Sequence, residues 1–170
     1  MANQNYPTGF LGLVAFLVTL LTLFVTFLRG KSILKVKDYP TSIQQMFMLV
    51  SKVFTNRTTA QIVTAQALLE TDRLRSRIYR TKNNAFGIGG DGDLAWKFDN
   101  VQDSVEWLKD FLVRKGIGAN FTNPETYARK LKGIGYYTAP TQQYSDLLRY
   151  LFEEVKKATN ETSQVDAVSV

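Results

Sequence analysis

Ile62-Val63-Thr64-Ala65-Gln66-Ala67-Leu68-Leu69-Glu70, followed after a basic stretch by Asn83-Asn84-Ala85-Phe86-Gly87-Ile88-Gly89-Gly90, is the part of the chain on which the reading of the whole turns. Ile62, Ala65 and Leu69 recur at helical spacing, and Val63, Ala67 and Leu68 widen the apolar face. A helix this apolar belongs in a core, and Glu70, at its end, belongs at the edge of that core. A carboxyl partly removed from water has its charged form disfavoured, so its pKa rises. That is what a general acid needs near neutral pH. An ordinary solvated acid at a helix end is the alternative that residue type alone leaves open. In the second segment, Asn83 and Asn84 tolerate turn conformations and hydrogen-bond locally. Gly87, Gly89 and Gly90 permit close backbone approach, and Phe86 supplies an apolar anchor. A surface loop pinned by Phe86 and the wall of a site both satisfy that pattern.

A third stretch, Gly135-Tyr136-Tyr137-Thr138-Ala139-Pro140 with Tyr144 beyond it, completes an order of blocks that resembles a known family. This is the glucosaminidase family of peptidoglycan hydrolases, which includes flagellar-type muramidases and bacterial autolysins. Its members carry A-Q-x-x-L-E-S/T-G-W-G-x-S, then N-N-L-F-G-I-K-G, then a block close to G-Y-A-T-D-P-x-Y. The resemblance runs from Gln61 to Tyr144. It implies a mainly α, lysozyme-like helical domain with a small β-hairpin or loop insertion. It implies peptidoglycan glycan strands as substrate, cut at the β-1,4 bond between N-acetylglucosamine and N-acetylmuramic acid. By the match, Glu70 is the catalytic acid, Asn84 and Phe86 shape the groove floor, and Tyr136 faces the sugar site. Gln66, in the first block, and Tyr137, in the third, join Asn84 and Phe86 as substrate-binding candidates.

The sequence also departs from the family pattern. Asp72-Arg73-Leu74 stands where members have Gly-Trp-Gly, and Ala139 replaces the aspartate of the third block. The β-rich lobe that can hold a second acid is reduced to Asp91-Gly92-Asp93-Leu94 before Trp96. The second catalytic role is therefore open. Asp91 or Asp93 would serve as base at roughly 6.5–9.5 Å from the acid for inversion, and Asp93 is taken as the candidate. The substrate's own acetamido group or hydroxyl is the other source, and the latter yields an anhydro product, as in a lytic transglycosylase. A catalytically inactive structural protein of a virion or envelope, keeping the fold alone, is the reading from a different class.

Composition narrows the chemistry. The chain of 170 residues has no cysteine and no histidine. Disulfides, thiolate nucleophiles, Ser-His-Asp triads and most zinc sites are excluded, so acid–base work falls to Asp, Glu, Tyr or Lys. No cofactor or metal is expected. The formal net charge is +6, and Arg73, Arg75, Arg77, Arg80 and Lys82 form a basic run just after the acid. Such a run can neutralise phosphate, but no nucleic-acid fold signature accompanies it. A solvated face, or attraction to an anionic wall polymer or membrane surface, accounts for it instead.

Phe10 to Leu28 is uncharged and strongly apolar. It is long enough for the span of about 20 residues that a bilayer requires. No basic residue precedes it and no small-residue cleavage site follows, so a retained membrane helix is favoured over a signal peptide. Arg29, Lys31, Lys35 and Lys37 follow it, and the positive-inside rule then places the rest of the chain on the cytoplasmic side. A wall hydrolase should face outwards. A bacteriophage with an internal virion membrane reconciles the two, with lipid and other virion proteins as partners; a periplasmic domain in the bacterial envelope is the rival.

The expected organisation is a tail over 1–9, a transmembrane helix over 10–28, a basic linker over 29–40, a helical domain over 41–157 and a disordered tail over 158–170. Within the domain about five helices are expected. One starts near Thr41 with Ile43, Phe47, Val50 and Phe54 inward, and the next is capped by Thr58 or Thr59 and runs into Glu70. Another opens at Asn100 or Asp103, with Val101, Val105, Leu108 and Leu112 on one face. Asn123-Pro124-Glu125 is a helix start, with Tyr127 and Leu131 buried and Gly133 the stop. The last runs from about Thr141 to Lys157.

Overall fold

The computed structural model describes residues 39–90 and 92–168, with side chains to residue 160. The helix that ends in Glu70 is surrounded on all sides. It is α2, Arg57–Glu70, and every residue from Thr59 to Leu68 is buried. Around it lie α1 (Ile43–Val53), α3 (Arg77–Lys82), α4 (Val101–Arg114), α5 (Pro124–Gly133) and α6 (Thr141–Val168). α2 packs against α6 and α1, α5 packs against α6, and α1 also touches α6 and α4. These make six α-helices and no strand among the described residues. The domain is mainly helical, as the resemblance implies, with one helix more than expected. The insertion is a loop with one 3₁₀ turn at Gly92–Leu94 rather than a β-hairpin. Gly89, Gly90 and Gly92 all take positive φ there, which glycine adopts without steric cost.

Capping side chains start most helices. Ser42, Asn56, Ser76, Asn100 and Asn123 each accept a hydrogen bond from the backbone N–H three residues on. Asn56, not Thr58 or Thr59, caps α2: its Oδ1 takes the N–H of Thr59 at 2.9 Å. Thr59 is buried instead, exchanging hydrogen bonds with the backbone of Phe121 at 3.2 and 2.9 Å. This ties the α4–α5 connection to the first turn of α2. Pro124 takes the first position of α5, where its missing N–H costs nothing.

Burying a helix all round requires its polar side chains to find partners. Thr64 Oγ1 donates to Ala60 O, and Gln61 Nε2 donates to Thr159 Oγ1 at 3.0 Å. Thr159 lies where a disordered tail was expected; α6 instead continues to Val168. Val155 and Thr159 are both buried, so helical spacing on the core side persists beyond Lys157. The apolar core of Met46, Ile62, Leu68, Leu108, Leu131 and Leu148 fills the rest. Each such side chain contributes about 1.5–3 kcal/mol by leaving water.

The apolar run 10–28 and the linker before Tyr39 lie outside the described residues. Among the described residues, no helix is long and apolar enough to cross a membrane.

Candidate active site

α2 delivers Glu70 as its last residue, half-buried against the start of α6. Tyr144, in the first turn of α6, donates its hydroxyl to Glu70 Oε1 at 2.8 Å. Burial pushes the Glu70 carboxyl above the ordinary carboxylate range, and the Tyr144 hydrogen bond opposes that shift in part. The C-terminal end of a helix carries partial negative charge, which disfavours the carboxylate further. The other oxygen, Oε2, faces Gly87: a Cβ there would lie 3.8 Å from it. Gly87 is exposed and has φ +63, so one carboxyl oxygen is tethered and the other faces an exposed, side-chain-free stretch of backbone.

Besides Tyr144, two buried or partly buried tyrosines lie near enough to feel the charge of this carboxyl. Tyr136 donates its hydroxyl to the carbonyl of Phe86 at 2.7 Å, joining the third sequence block to the second. Tyr127, fully buried, donates to Gln66 Oε1 at 2.6 Å. Gln66 Nε2 is buried without a hydrogen-bond partner among the described residues. Burial raises the pKa of Tyr127, Tyr136 and Tyr144, and the charge of Glu70 raises all three further. They are neutral donors at any ordinary pH. Tyr137 stacks on Tyr144 with centroids 3.9 Å apart and 7° between planes, and its hydroxyl goes to Ala128 O at 3.0 Å.

Asn84 is better described as the keystone of its loop than as a substrate ligand. Nδ2 donates to Ile88 O at 2.9 Å and Trp96 O at 3.0 Å, while Oδ1 accepts from the N–H of Phe86 and Ile88. A side-chain amide offers two donors and one twofold acceptor, so Asn84 has nothing left for a sugar. Phe86 is likewise buried, and its carbonyl rather than its ring faces the site. Asp93 stands exposed on the 3₁₀ turn, and its backbone carbonyl receives Lys82. No hydrogen bond joins it to Glu70 among the described residues. Asp91 lies outside them.

Two lysines hold the two flanking loops. Lys82 Nζ donates to the carbonyls of Gly92, Asp93 and Ala95 at 2.8–3.0 Å. Lys132 Nζ does the same for Tyr137, Thr138 and Ala139 at 2.9–3.5 Å. Lys82 therefore leaves the basic run and becomes internal scaffolding. Of the remainder, Arg73 pairs with Glu154 at 2.6 Å and Arg75 with Asp72 at 3.0 Å.

Asp72, Arg73 and Leu74 all adopt positive φ, at 47°, 56° and 64°. Three consecutive left-handed non-glycine residues carry a cost of roughly 1–2 kcal/mol each. Burial of Leu74 and hydrogen bonds from Arg73 N to Leu68 O and from Leu74 N to Thr71 Oγ1 hold the turn. An open cleft of about 760 Å³ lies beside it on the outer face of α6, lined by Arg73, Arg149, Tyr150 and Glu154. Its charged walls are largely ion-paired and Glu70 does not line it, so size alone does not make it the active site.

Sequence reasoning passed over Tyr144, Tyr127 and Gly87 as site residues. Tyr144 was findable, since it ends the third block. Tyr127 has the spacing of a packing residue, and only the tertiary fold turns its hydroxyl toward Gln66.

The site thus brings a half-buried carboxyl, held by one tyrosine hydroxyl, to the end of the central helix of a mainly helical domain. The chain belongs to the glucosaminidase family: the family model described as mannosyl-glycoprotein endo-beta-N-acetylglucosaminidase matches residues 54–157. The protein is accordingly a glycoside hydrolase of the endo-β-N-acetylglucosaminidase type. Neither a curated protein nor a solved structure matches the chain.

Proposed function

We propose that the protein cleaves the glycan strand of peptidoglycan at a β-1,4 bond between N-acetylglucosamine and N-acetylmuramic acid, with Glu70 as general acid. The observation that carries this reading is the asymmetry of the Glu70 carboxyl. Tyr144 holds Oε1, burial favours the protonated form, and Oε2 faces the exposed backbone of Gly87. A proton on Oε2 is available to the leaving oxygen of a sugar laid across Gly87. Departure of that oxygen leaves an oxocarbenium-like centre that must be met by a base, a nucleophile or a group of the substrate itself. Tyr136 and Tyr137 flank the site, their hydroxyls committed to the carbonyls of Phe86 and Ala128 and the Tyr137 ring stacked on Tyr144.

Asp93 is the protein's candidate for the second role, on a turn fastened by Lys82. A lytic transglycosylase is the second reading. It is kept open by the surroundings of Glu70, whose hydrogen-bond partner among the described residues is a tyrosine rather than a second carboxyl group. Membrane attachment through residues 10–28 is part of the proposal and rests on the sequence alone. So does the setting, a phage internal membrane from which the enzyme opens the wall on infection, or else the bacterial envelope. Finding the protein only in host envelopes and never in purified particles would remove the phage setting.

Digestion of purified peptidoglycan by the protein, beside Glu70→Gln, with mass spectrometry of the products, tests the reading. Reducing-end N-acetylglucosamine, absent with the variant, is the expected result. Reducing-end N-acetylmuramic acid would change the bond to that of a muramidase, and anhydro ends would establish transglycosylation. No product from the folded protein over several wall types would leave the inactive structural reading in its place.

A further inference from the structure

Four aromatic rings form a continuous row leading to the site. Trp96 meets Trp107 edge to face with centroids 5.4 Å apart, Trp107 stacks on Phe111 at 5.1 Å, and Phe111 lies against Tyr136 at 6.4 Å. The row is partly open to solvent: Trp96 is half exposed, and Trp107, Phe111 and Tyr136 are only partly buried against the core. Leaving half of the Trp96 ring wet has a cost in free energy, and an exposed aromatic continuous with a partly open apolar row is the kind of surface that binding grooves use.

Trp96 is also held in place. Its backbone N–H donates to Ile88 O at 2.9 Å, and its ring lies so close to Gly89 that a Cβ there would sit 2.0 Å from Trp96 Cδ1. Glycine at 89 thus leaves room for the ring on the loop backbone. Cations border the row. Arg114 stands 6.0 Å over Trp107 and Lys115 stands 5.8 Å over Phe111, within range of cation–π attraction.

We propose that the row from Trp96 to Phe111 is an extended glycan-binding strip, carrying the peptidoglycan strand beyond the cleavage point at Glu70; this rests on the reading of the protein as a peptidoglycan glycosidase. Continuity argues for this occupant, because the row ends on Tyr136, which is hydrogen-bonded to Phe86 beside Gly87 and feels the charge of Glu70. The chemistry agrees. The half-exposed ring of Trp96 is the platform on which a flat pyranose face can stack, and Trp107 and Phe111, stacked on each other, carry the apolar wall on toward Tyr136. Arg114 and Lys115 are placed to meet the carboxylates carried by muramic acid and its peptide.

Both tryptophans of the chain, Trp96 and Trp107, lie in this row, so selectively excited tryptophan emission reports on it. The experiment titrates the full chain carrying Glu70→Gln with the hexasaccharide of N-acetylglucosamine, its disaccharide, and solubilised peptidoglycan strands. Emission should shift to shorter wavelength and acrylamide quenching should fall as the hexasaccharide saturates. Trp96→Ala should weaken hexasaccharide binding roughly fivefold to tenfold and leave the disaccharide nearly unaffected, with unchanged far-ultraviolet circular dichroism. Arg114→Glu with Lys115→Glu, on the exposed rim, should weaken binding of peptidoglycan strands while sparing the neutral hexasaccharide.

Sugar binding without a change in tryptophan emission, or equal affinity in Trp96→Ala, would overturn the strip. So would tryptophans already shielded from acrylamide in the sugar-free protein, since the N-terminal segment or a second copy would then occupy the row. Strands bound along the row but uncut by the protein with Glu70 intact would remove the hydrolase reading and keep the strip. Strands cut equally well by Trp96→Ala would do the reverse.

Discussion

Replacing Tyr144 by phenylalanine isolates the hydrogen bond that reaches the Glu70 carboxyl. The lost hydroxyl lies 2.8 Å from Oε1, while the stack on Tyr137 at 3.9 Å is kept by the phenylalanine ring. A hydrogen bond to a charged group contributes about 1.5–3 kcal/mol net, and one between neutral groups about 0.5–1.5 kcal/mol. The ionised form of Glu70 therefore loses more than the protonated form. Its pKa, already raised by burial, moves further up in the variant. For catalysis, the alkaline limb of the pH–rate profile, which reports loss of the acid's proton, should move to higher pH.

For stability the sign follows from linkage. An acid whose folded-state pKa is raised contributes stability that is fully present below its ordinary value of 4.5 and is lost as pH rises through the folded value. Tyr144→Phe should therefore cost about 0.5–1.5 kcal/mol where Glu70 is neutral and about 1.5–3 kcal/mol where it is ionised. Urea denaturation on both sides of the transition measures this. In a Glu70→Gln background the cost should be the smaller one and independent of pH. An alkaline limb that stays put or moves to lower pH would refute the reasoning, as would an equal cost at every pH.

Glu70→Gln by itself should lower glycan cleavage by roughly 10²–10⁴-fold, the usual contribution of a general acid. The same variant should be more stable than the parent at neutral pH, with the difference closing as pH falls toward 4.5, because the buried charge is what it removes. Asn84→Ala should destabilise by about 3 kcal/mol or more in urea denaturation, since it strands the buried N–H groups of Phe86 and Ile88 and two carbonyls. Lys132→Met should cost about 1–3 kcal/mol by releasing three carbonyls, and should raise KM for glycan as the Tyr136–Tyr137 loop loosens.

The helices were legible because their signals are local. The apolar spacing of Ile62, Ala65 and Leu69, the N-cap and proline of Asn123-Pro124, and the stop at Gly133 each act within a turn or two of themselves. The spacing places the cap of α2 at Thr58 or Thr59, two or three residues past Asn56, because three residues able to cap compete there. Thr59 was free to be buried only because Phe121, distant in sequence, offers its backbone. The extension of α6 past Lys157 was illegible for the same reason, since Thr159 finds its partner in Gln61.

The sequence by itself determined the family, through three blocks in order, and it also placed the central helix with Glu70 at its end, because a helical run followed by a carboxyl is a statement about neighbouring residues. Only the tertiary structure decided how that carboxyl is held. It aims Tyr144 at Oε1 and sets Gly87 by Oε2, ties Tyr127 to Gln66 and Tyr136 to the Phe86 carbonyl, and spends Asn84 on its own loop. It also gathers Trp96, Trp107, Phe111 and Tyr136 into one row. Each of these pairings joins residues from separate helices or loops. Their distances follow from how the helices pack, which short-range spacing does not encode.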